Sequence, residues 1–153
     1  EQREYLEAAK LNPRSFAPLV NLASLYIEQA LVKPDTDAIV ARSLLNDALA
    51  SLNKAFDIQP NAPSAHYLTG IIYYATAFYE EAESHFKKAL ATGGSTMIAA
   101  RLALAEIYIQ LKEWDSVVVQ LDEYLEDVPF APNRMRIRAV RNAASEKLTS
   151  LSQ

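Results

Sequence analysis

The chain has 153 residues, of which 50% are hydrophobic and 22% are charged, with a formal net charge of −4 and no cysteine. This is enough apolar material for one helical domain, and the lack of cysteine excludes disulfides and thiolate sites for metals or catalysis. The negative net charge, without a basic stripe, argues against a nucleic-acid partner, and no apolar run approaches the roughly 18 residues of a membrane span.

The chain opens with Glu1 and not with methionine, in a stretch that already has a helical pattern. We expect an excised fragment of a longer protein, so that any targeting or lipidation signal would lie outside it. The sequence therefore predicts no compartment, and a cytoplasmic and a periplasmic location fit it equally well.

Two helices are predicted at the start of the chain. Residues 1–11 have the pattern of a helix remnant, which Asn12 and Pro13 end. Ser15 can then cap the N-terminus of a second helix over residues 16–31. The apolar residues of this second helix recur every three or four positions, as in a buried stripe: Leu19, Leu22, Ala23, Tyr26 and Ala30.

An insertion follows the second helix. Residues 32–34 interrupt the helical pattern with Val-Lys-Pro, and Asp35 or Thr36 restarts it. Residues 37–58 contain no glycine or proline, so they are predicted to form one helix of roughly 33 Å. We expect this helix to extend beyond its neighbours.

Residues 64–89 have the spacing of a helical hairpin with a turn over residues 77–79. Small and large residues alternate along it at relative positions 0, 3, 12, 16 and 19: Gly70, Tyr73, Ala82, Phe86 and Ala89. Small residues at a helix crossing allow two helices to approach closely, and the large side chains fill the space between them.

The next stretch of the chain predicts another hairpin. Ser95 or Thr96 is expected to cap a helix that ends near residue 111, and residues 112 and 113 turn the chain into a partner helix over residues 114–127.

The same residue classes recur at a nearly constant spacing. Gly70 and Tyr73 have counterparts 35 residues later in Ala105 and Tyr108, and the additional residue falls most simply at residues 93–94. Upstream counterparts lie 34 residues earlier for the second helix (Ala48, Leu52, Ala55, Pro60) and 47 residues earlier for the first (Leu22, Ala23, Tyr26). The first unit therefore carries 13 extra residues, which is 47 minus 34.

This recurrence resembles the tetratricopeptide repeat, a helical hairpin of about 34 residues. The resemblance implies an all-α fold, namely a right-handed α-solenoid of antiparallel helix pairs with one lengthened pair and a C-terminal capping helix. Residues 1–153 would then form a single domain. Its parts would be the end of a truncated repeat (1–13), a repeat with the insertion (14–60), two further repeats (61–94 and 95–129) and the capping helix (130–153).

The last segment, residues 133–150, departs from the repeat because Arg138 and Asn142 occupy positions where the repeat has large apolar residues. We expect this helix to cap the solenoid with a polar outer face. Its predicted apolar side comprises Met135, Ala139, Val140, Ala143 and Leu148, with Ile137 at the seam. Its arginines (Arg134, Arg136, Arg138, Arg141) are expected to match acids of the preceding helix (Asp115, Asp122, Glu123, Glu126, Asp127).

Little in the sequence indicates catalysis or metal binding. His66 and His85 lie on different predicted helices and belong to no motif of a metal site or a catalytic triad. The acids Glu80 and Glu81 suit the first turn of a helix and need no role as general acids. We therefore predict no enzyme activity, no cofactor and no metal.

In the tetratricopeptide repeat family the first helices of the repeats line a concave groove. By this resemblance the groove residues and those beside them are Val20, Asn21, Ser24, Ile27, Glu28, Tyr67, Ile71, Tyr74, Leu102, Glu106, Ile109 and Gln110. These residues are mostly apolar, with acids among them, so they favour an apolar or aromatic peptide or helix over a C-terminal carboxylate. The alternative is that Tyr67 and Tyr74 are core residues covered by another helix.

Two classes of function fit these observations. The first is a protein-interaction module, or scaffold, that binds a peptide or helical segment of a protein partner in an apolar and aromatic groove. The alternative is a structural spacer or assembly domain of a larger protein, with the groove filled by its own chain. Repeat architecture alone does not choose between them, and the sequence also leaves self-association open.

Overall fold

The computed structural model describes residues 2–12, 15–32 and 36–151, and every regular element in these ranges is helical. The eight α-helices are α1 (Gln2–Leu11), α2 (Phe16–Leu31), α3 (Ala38–Ile58), α4 (Pro63–Ala75), α5 (Tyr79–Gly93), α6 (Ala99–Leu111), α7 (Trp114–Asp127) and α8 (Arg134–Leu151). A short 3₁₀ helix (Gly94–Met97) precedes α6. Among the described helices, none combines the length and the apolar content that a membrane span requires.

The helices pack in chain order as a solenoid. The pairs α2 with α3, α4 with α5, and α6 with α7 make the most extensive contacts, and α8 packs on α7. Further contacts of α1 with α2 and of α5 with α6 join neighbouring units. The predicted all-α solenoid of helix pairs is confirmed.

The turns inside the two central pairs have the same backbone geometry 35 residues apart. Ala77 and Lys112 both adopt the left-handed region, with φ of 62° and 61°. The residue after each of them donates its N–H back to a tyrosine carbonyl, from Phe78 to Tyr73 and from Glu113 to Tyr108, both at 2.9 Å. The periodicity of the sequence is therefore repeated in the hydrogen bonds of the backbone.

Small residues lie where the helices cross. Ala82 and Ala89 of α5 are fully buried, as the hairpin spacing predicts. A Cβ atom added to Gly70 would lie 2.8 Å from the ring of Phe86, which is closer than two carbon atoms can pack without a shift. Gly70 thus permits the close contact of α4 and α5.

The long helix is confirmed, since α3 spans 21 residues and is the longest described element. Asp37 caps it by accepting a hydrogen bond from the N–H of Ile39 at 2.8 Å. Ile39 and its neighbour Val40 are exposed. Pro13, which was expected to end the first helix, and Lys33, Pro34 and Asp35, which were expected to break and restart the second, lie outside the described residues.

Two predicted N-caps differ from the structure. Ser15 lies at the N-cap position of α2 but makes no side-chain capping bond. The prediction that Ser95 or Thr96 caps α6 is wrong, because residues 94–97 form the 3₁₀ helix and Ile98 precedes α6. Gly94 adopts a positive φ of 52° at the junction of α5 and the 3₁₀ helix, a backbone conformation that glycine adopts without strain.

The predicted apolar side of α8 is also wrong in most of its residues. Met135 is 78% exposed, and Ala139 and Ala143 are exposed as well. Val140 and the seam residue Ile137 do pack on the C-terminal core as predicted, together with Ala144, which was not predicted. These residues follow the spacing of three and four that places side chains on one helix face, rotated from the expected stripe.

Charge matching between α7 and α8 is confirmed for one pair, in which Arg141 donates two hydrogen bonds of 2.8 Å to Asp122. Arg134 instead donates to the backbone carbonyl oxygens of Leu125 and Pro129. Two of the α7 acids, Glu123 and Asp127, are bound by Arg101 of α6.

Candidate binding groove

The predicted groove residues of α4 form one half-buried stripe, Tyr67, Ile71 and Tyr74. The Tyr67 ring packs edge-on against Phe86 at a centroid distance of 5.6 Å, and the Tyr74 ring lies 5.9 Å from that of Tyr79. Both rings are therefore held in place by side chains of α5, while part of each remains open to a ligand.

Tyr73, one position before Tyr74, lies about 100° further round the α4 helix and has different ring neighbours. Its ring packs 5.6 Å from His85 and 6.3 Å from Phe78. The two tyrosines thus contact different neighbours, although they are adjacent in the sequence and both half-buried.

Three of the four predicted residues of α6 line an open cavity of about 370 Å³ between α6, α7 and α8. Leu102, Glu106 and Ile109 form its α6 wall. Arg136, Ile137 and Val140 line it from α8 and Asn133 from the residue before α8, with Ala105 and Leu121 at its base. The lining is apolar apart from Glu106 and the polar side chains at the start of α8.

The α8 residues of this cavity were not among the predicted groove residues, because the segment was interpreted as a cap. Their spacing contained the signal, since Ile137, Val140 and Ala144 are separated by three and four positions. Val140 was predicted on the apolar side of the capping helix and Ile137 at its seam, but neither was predicted to line a groove.

Glu106 connects the cavity with the α4 stripe. Burial is the main cause of a raised pKa for Tyr67 and for Tyr74, and the negative charge of Glu106 raises both further. A side-chain hydrogen bond with Glu106 adds to the effect on Tyr74. Both hydroxyl groups therefore stay protonated at neutral pH, and each can donate a hydrogen bond to a carboxylate.

The predicted residues of α2 lie in a different place. Asn21, Ser24 and Glu28 line a shallow recess of about 150 Å³ together with Tyr5 of α1. Val20 is half-buried, whereas Ile27 is only 7% exposed and belongs to the N-terminal core. The structure thus gathers the α4 and α6 residues around Glu106, and places those of α2 beside α1. Gln110, at the end of α6, is exposed.

The two histidines meet away from the groove. Nδ1 of His66 lies 3.1 Å from Nδ1 of His85, and Nε2 of His66 lies 3.1 Å from the carbonyl oxygen of Pro60. In the described part of the chain, no group of three or more His, Cys, Asp or Glu side chains is placed to hold a metal ion.

Stacked antiparallel helix pairs with an open cavity on one side define an α-solenoid of helical repeats. Residues 79–136 match the family model of the tetratricopeptide repeat. No curated protein matches the sequence.

Solved structures of tetratricopeptide repeat (TPR) proteins share the fold. TTC0263, a thermophilic TPR protein of Thermus thermophilus, superposes with a TM-score of 0.75 at 22% identity, over 94% of this chain and 70% of that one. YrrB, a TPR protein with an unusual peptide-binding site, gives 0.73 at 21% identity, over 99% and 70%. MamA gives 0.66 at 19% identity, over 97% and 77%. The chain thus has the fold of these tetratricopeptide repeat proteins, and its residues 79–136 are similar to the family's repeat.

Proposed function

We propose that this chain is a protein-interaction module that binds a peptide or a short helix of a partner protein along α4 and α6. The observation that carries this proposal is the half-buried stripe of Tyr67, Ile71 and Tyr74 next to the apolar cavity of α6 and α8. Partly desolvated aromatic side chains are the residue type that dominates the energy of protein interfaces.

The position of α8 favours binding over a groove closed by its own chain. This helix packs on α7 and contributes Ile137 and Val140 to one wall of the cavity. It thereby enlarges the apolar surface offered by α6. The peptide-binding site named for YrrB, a protein of the same fold, makes a peptide a reasonable ligand class for this one.

The proposal can be tested by selecting peptides from a phage library of 12-residue segments and titrating the best binders against two variants. Tyr74→Ala removes an anchor of the proposed groove, and we expect it to weaken binding by about 2 kcal/mol. Tyr73→Ala is the matched control, since it removes the same side chain from a neighbouring position of α4 whose ring packs on His85 and Phe78. We expect Tyr73→Ala to lower the thermal midpoint. At temperatures where the variant is still folded, we expect its peptide affinity to equal that of the wild type.

Equal losses of affinity in the two variants would mean that binding depends on the stability of α4 and not on the groove. A selection that yields no binder would favour the spacer function. Circular dichroism of each variant at the titration temperature checks that the helices are intact.

A further inference from the structure

Glu106 lies at the centre of the proposed groove and has no cationic partner in the described part of the chain. Its carboxylate lines the cavity beside Leu102 and Ile109 and is exposed to solvent. A carboxylate that becomes covered by a ligand loses hydration, and this costs free energy unless the ligand supplies a compensating charge.

Four acids on the neighbouring helices α5 and α7 are already paired. Glu83 of α5 binds Lys87, and Asp122 of α7 binds Arg141. Glu123 and Asp127 of α7 share Arg101. The free charge of Glu106 is therefore the electrostatic feature of the α6 wall that a ligand can complement.

The surroundings of Glu106 suit a cation better than a neutral group. Tyr67 and Tyr74 flank its α4 side, with hydroxyl groups that can hold the carboxylate in position and ring faces that attract a cation. Arg136 lines the cavity from α8 and repels positive charge there. A cationic side chain of the ligand is thus directed to the α4 side of Glu106, and an apolar side chain of the ligand is directed to the cavity.

We propose that the groove selects partner segments in which a lysine or arginine lies next to an aliphatic or aromatic residue. The cation pairs with Glu106 between Tyr67 and Tyr74, and the apolar side chain fills the cavity lined by Leu102, Ile109, Ile137 and Val140. This inference rests on the proposed function and adds the chemistry of the partner to it.

The test compares the peptide pools that wild-type protein, Glu106→Gln and Glu106→Lys select from the same 12-residue library. We expect lysine and arginine to be enriched in the wild-type pool, to lose their enrichment with Glu106→Gln, and to be replaced by acids with Glu106→Lys. For the best wild-type peptide we expect Glu106→Gln to weaken binding about tenfold, in line with loss of one charged hydrogen bond. Added salt should weaken wild-type binding more than binding by this variant.

Glu126→Gln serves as the matched control, because Glu126 is an exposed acid of α7 outside the cavity. We expect it to select the same basic peptides as the wild type. Basic enrichment that persists in Glu106→Gln, or disappears in Glu126→Gln, would overturn the assignment of Glu106.

The two proposals fail in distinguishable ways. Peptides that depend on Tyr74 but show no basic enrichment would overturn the cation subsite and leave the groove function standing. An empty selection would overturn both proposals. The thermal midpoint of Glu106→Gln shows independently whether the substitution disturbs the folded structure. We expect it to equal that of the wild type, because Glu106 is exposed.

Discussion

Nδ1 of His66 and Nδ1 of His85 face each other at 3.1 Å between α4 and α5. The carbonyl oxygen of Pro60 can only accept a hydrogen bond, so Nε2 of His66 carries a proton. In the neutral ring Nδ1 of His66 is then an acceptor, and His85 donates its Nδ1 proton to it. The rings of Phe56 and Tyr73 pack beside the pair. This hydrogen-bond pattern requires both histidines to be neutral.

Protonation of this pair should destabilise the fold. Burial is the main reason that the pKa of His85 is lowered to about 4, with the charges of His66 and Lys88 adding to it. Burial, followed by Lys88, also lowers the pKa of His66. Between about pH 4 and the ordinary value of 6.5 the unfolded chain binds more protons than the folded one, so stability falls as the pH falls through this window.

The measurement is the free energy of unfolding by urea at several pH values between neutral and mildly acidic conditions. The variant His85→Gln keeps an N–H donor for His66 but does not titrate, and we expect its stability to fall less steeply below pH 6.5. Since the chain has only two histidines, an unchanged pH profile in this variant would contradict the neutral pair. Glu83 titrates lower, because hydrogen bonds from Lys87 and Tyr108 overcome the effect of burial and lower its pKa below 4.5.

The close crossing of α4 and α5 gives a second prediction. Ala82 is fully buried, so Ala82→Leu should overpack the core and cost about 1–3 kcal/mol of stability. Gly70→Ala should also destabilise, because its Cβ would meet the Phe86 ring. Ala50→Leu, at an exposed position of α3, is the matched control with no expected loss. A thermal midpoint of Ala82→Leu equal to that of the control would mean that the repeat register is wrong.

The helices and the hairpin crossings could be predicted because they depend on local spacing. The positions of Gly70 and Phe86 followed from a pattern that recurs, and the turn before Tyr79 followed from the gap between two helical stripes. The N-terminus of α6 could not be predicted in this way. Ser95 and Thr96 are good capping residues, but the glycine pair before them allowed the 3₁₀ turn that displaced the helix start.

The candidate groove was predictable only in part. The α4 and α6 residues followed from the repeat register, whereas Ile137 and Val140 depended on how α8 rotates against α7. The predicted stripe combined Val140 with Met135 and Ala139, which are exposed. Which residues of α8 face its neighbours is decided by packing between helices, and the spacing within one helix does not encode it. The meeting of His66 and His85 likewise depends on the pairing of two helices.

The ion pair between Arg141 and Asp122 gives a third prediction, on how α8 is attached. The pair is bidentate but partly exposed to solvent, so its coupling energy in a double-mutant cycle with Arg141→Ala and Asp122→Asn should not exceed about 1 kcal/mol. The coupling should decrease in high salt. The same cycle with Arg138→Ala is the control, because Arg138 is exposed and makes no ion pair among the described residues. A coupling that is as large with Arg138 would show that only the general charge of α8 matters.

The end of α8 has a second attachment, at the start of α7. Nζ of Lys147 lies 3.9 Å from the centroid of the Trp114 ring, a cation–π geometry whose contribution at such sites is about 0.5–1 kcal/mol. Since Trp114 is the single tryptophan of the chain, all tryptophan fluorescence comes from the ring that Lys147 contacts. Lys147→Met removes the charge while keeping a long side chain, and we expect a shifted emission spectrum and a stability loss of that size.

The control for this last prediction is Lys54→Met, which removes a charge from an exposed position of α3 far along the chain from the tryptophan. We expect it to leave the emission spectrum unchanged. If Lys147→Met alters neither the spectrum nor the urea midpoint relative to Lys54→Met, then Lys147 does not hold the end of α8. The attachment of this helix would then depend on Ile137, Val140, Ala144 and the Arg141 pair, which lie nearer its start and middle.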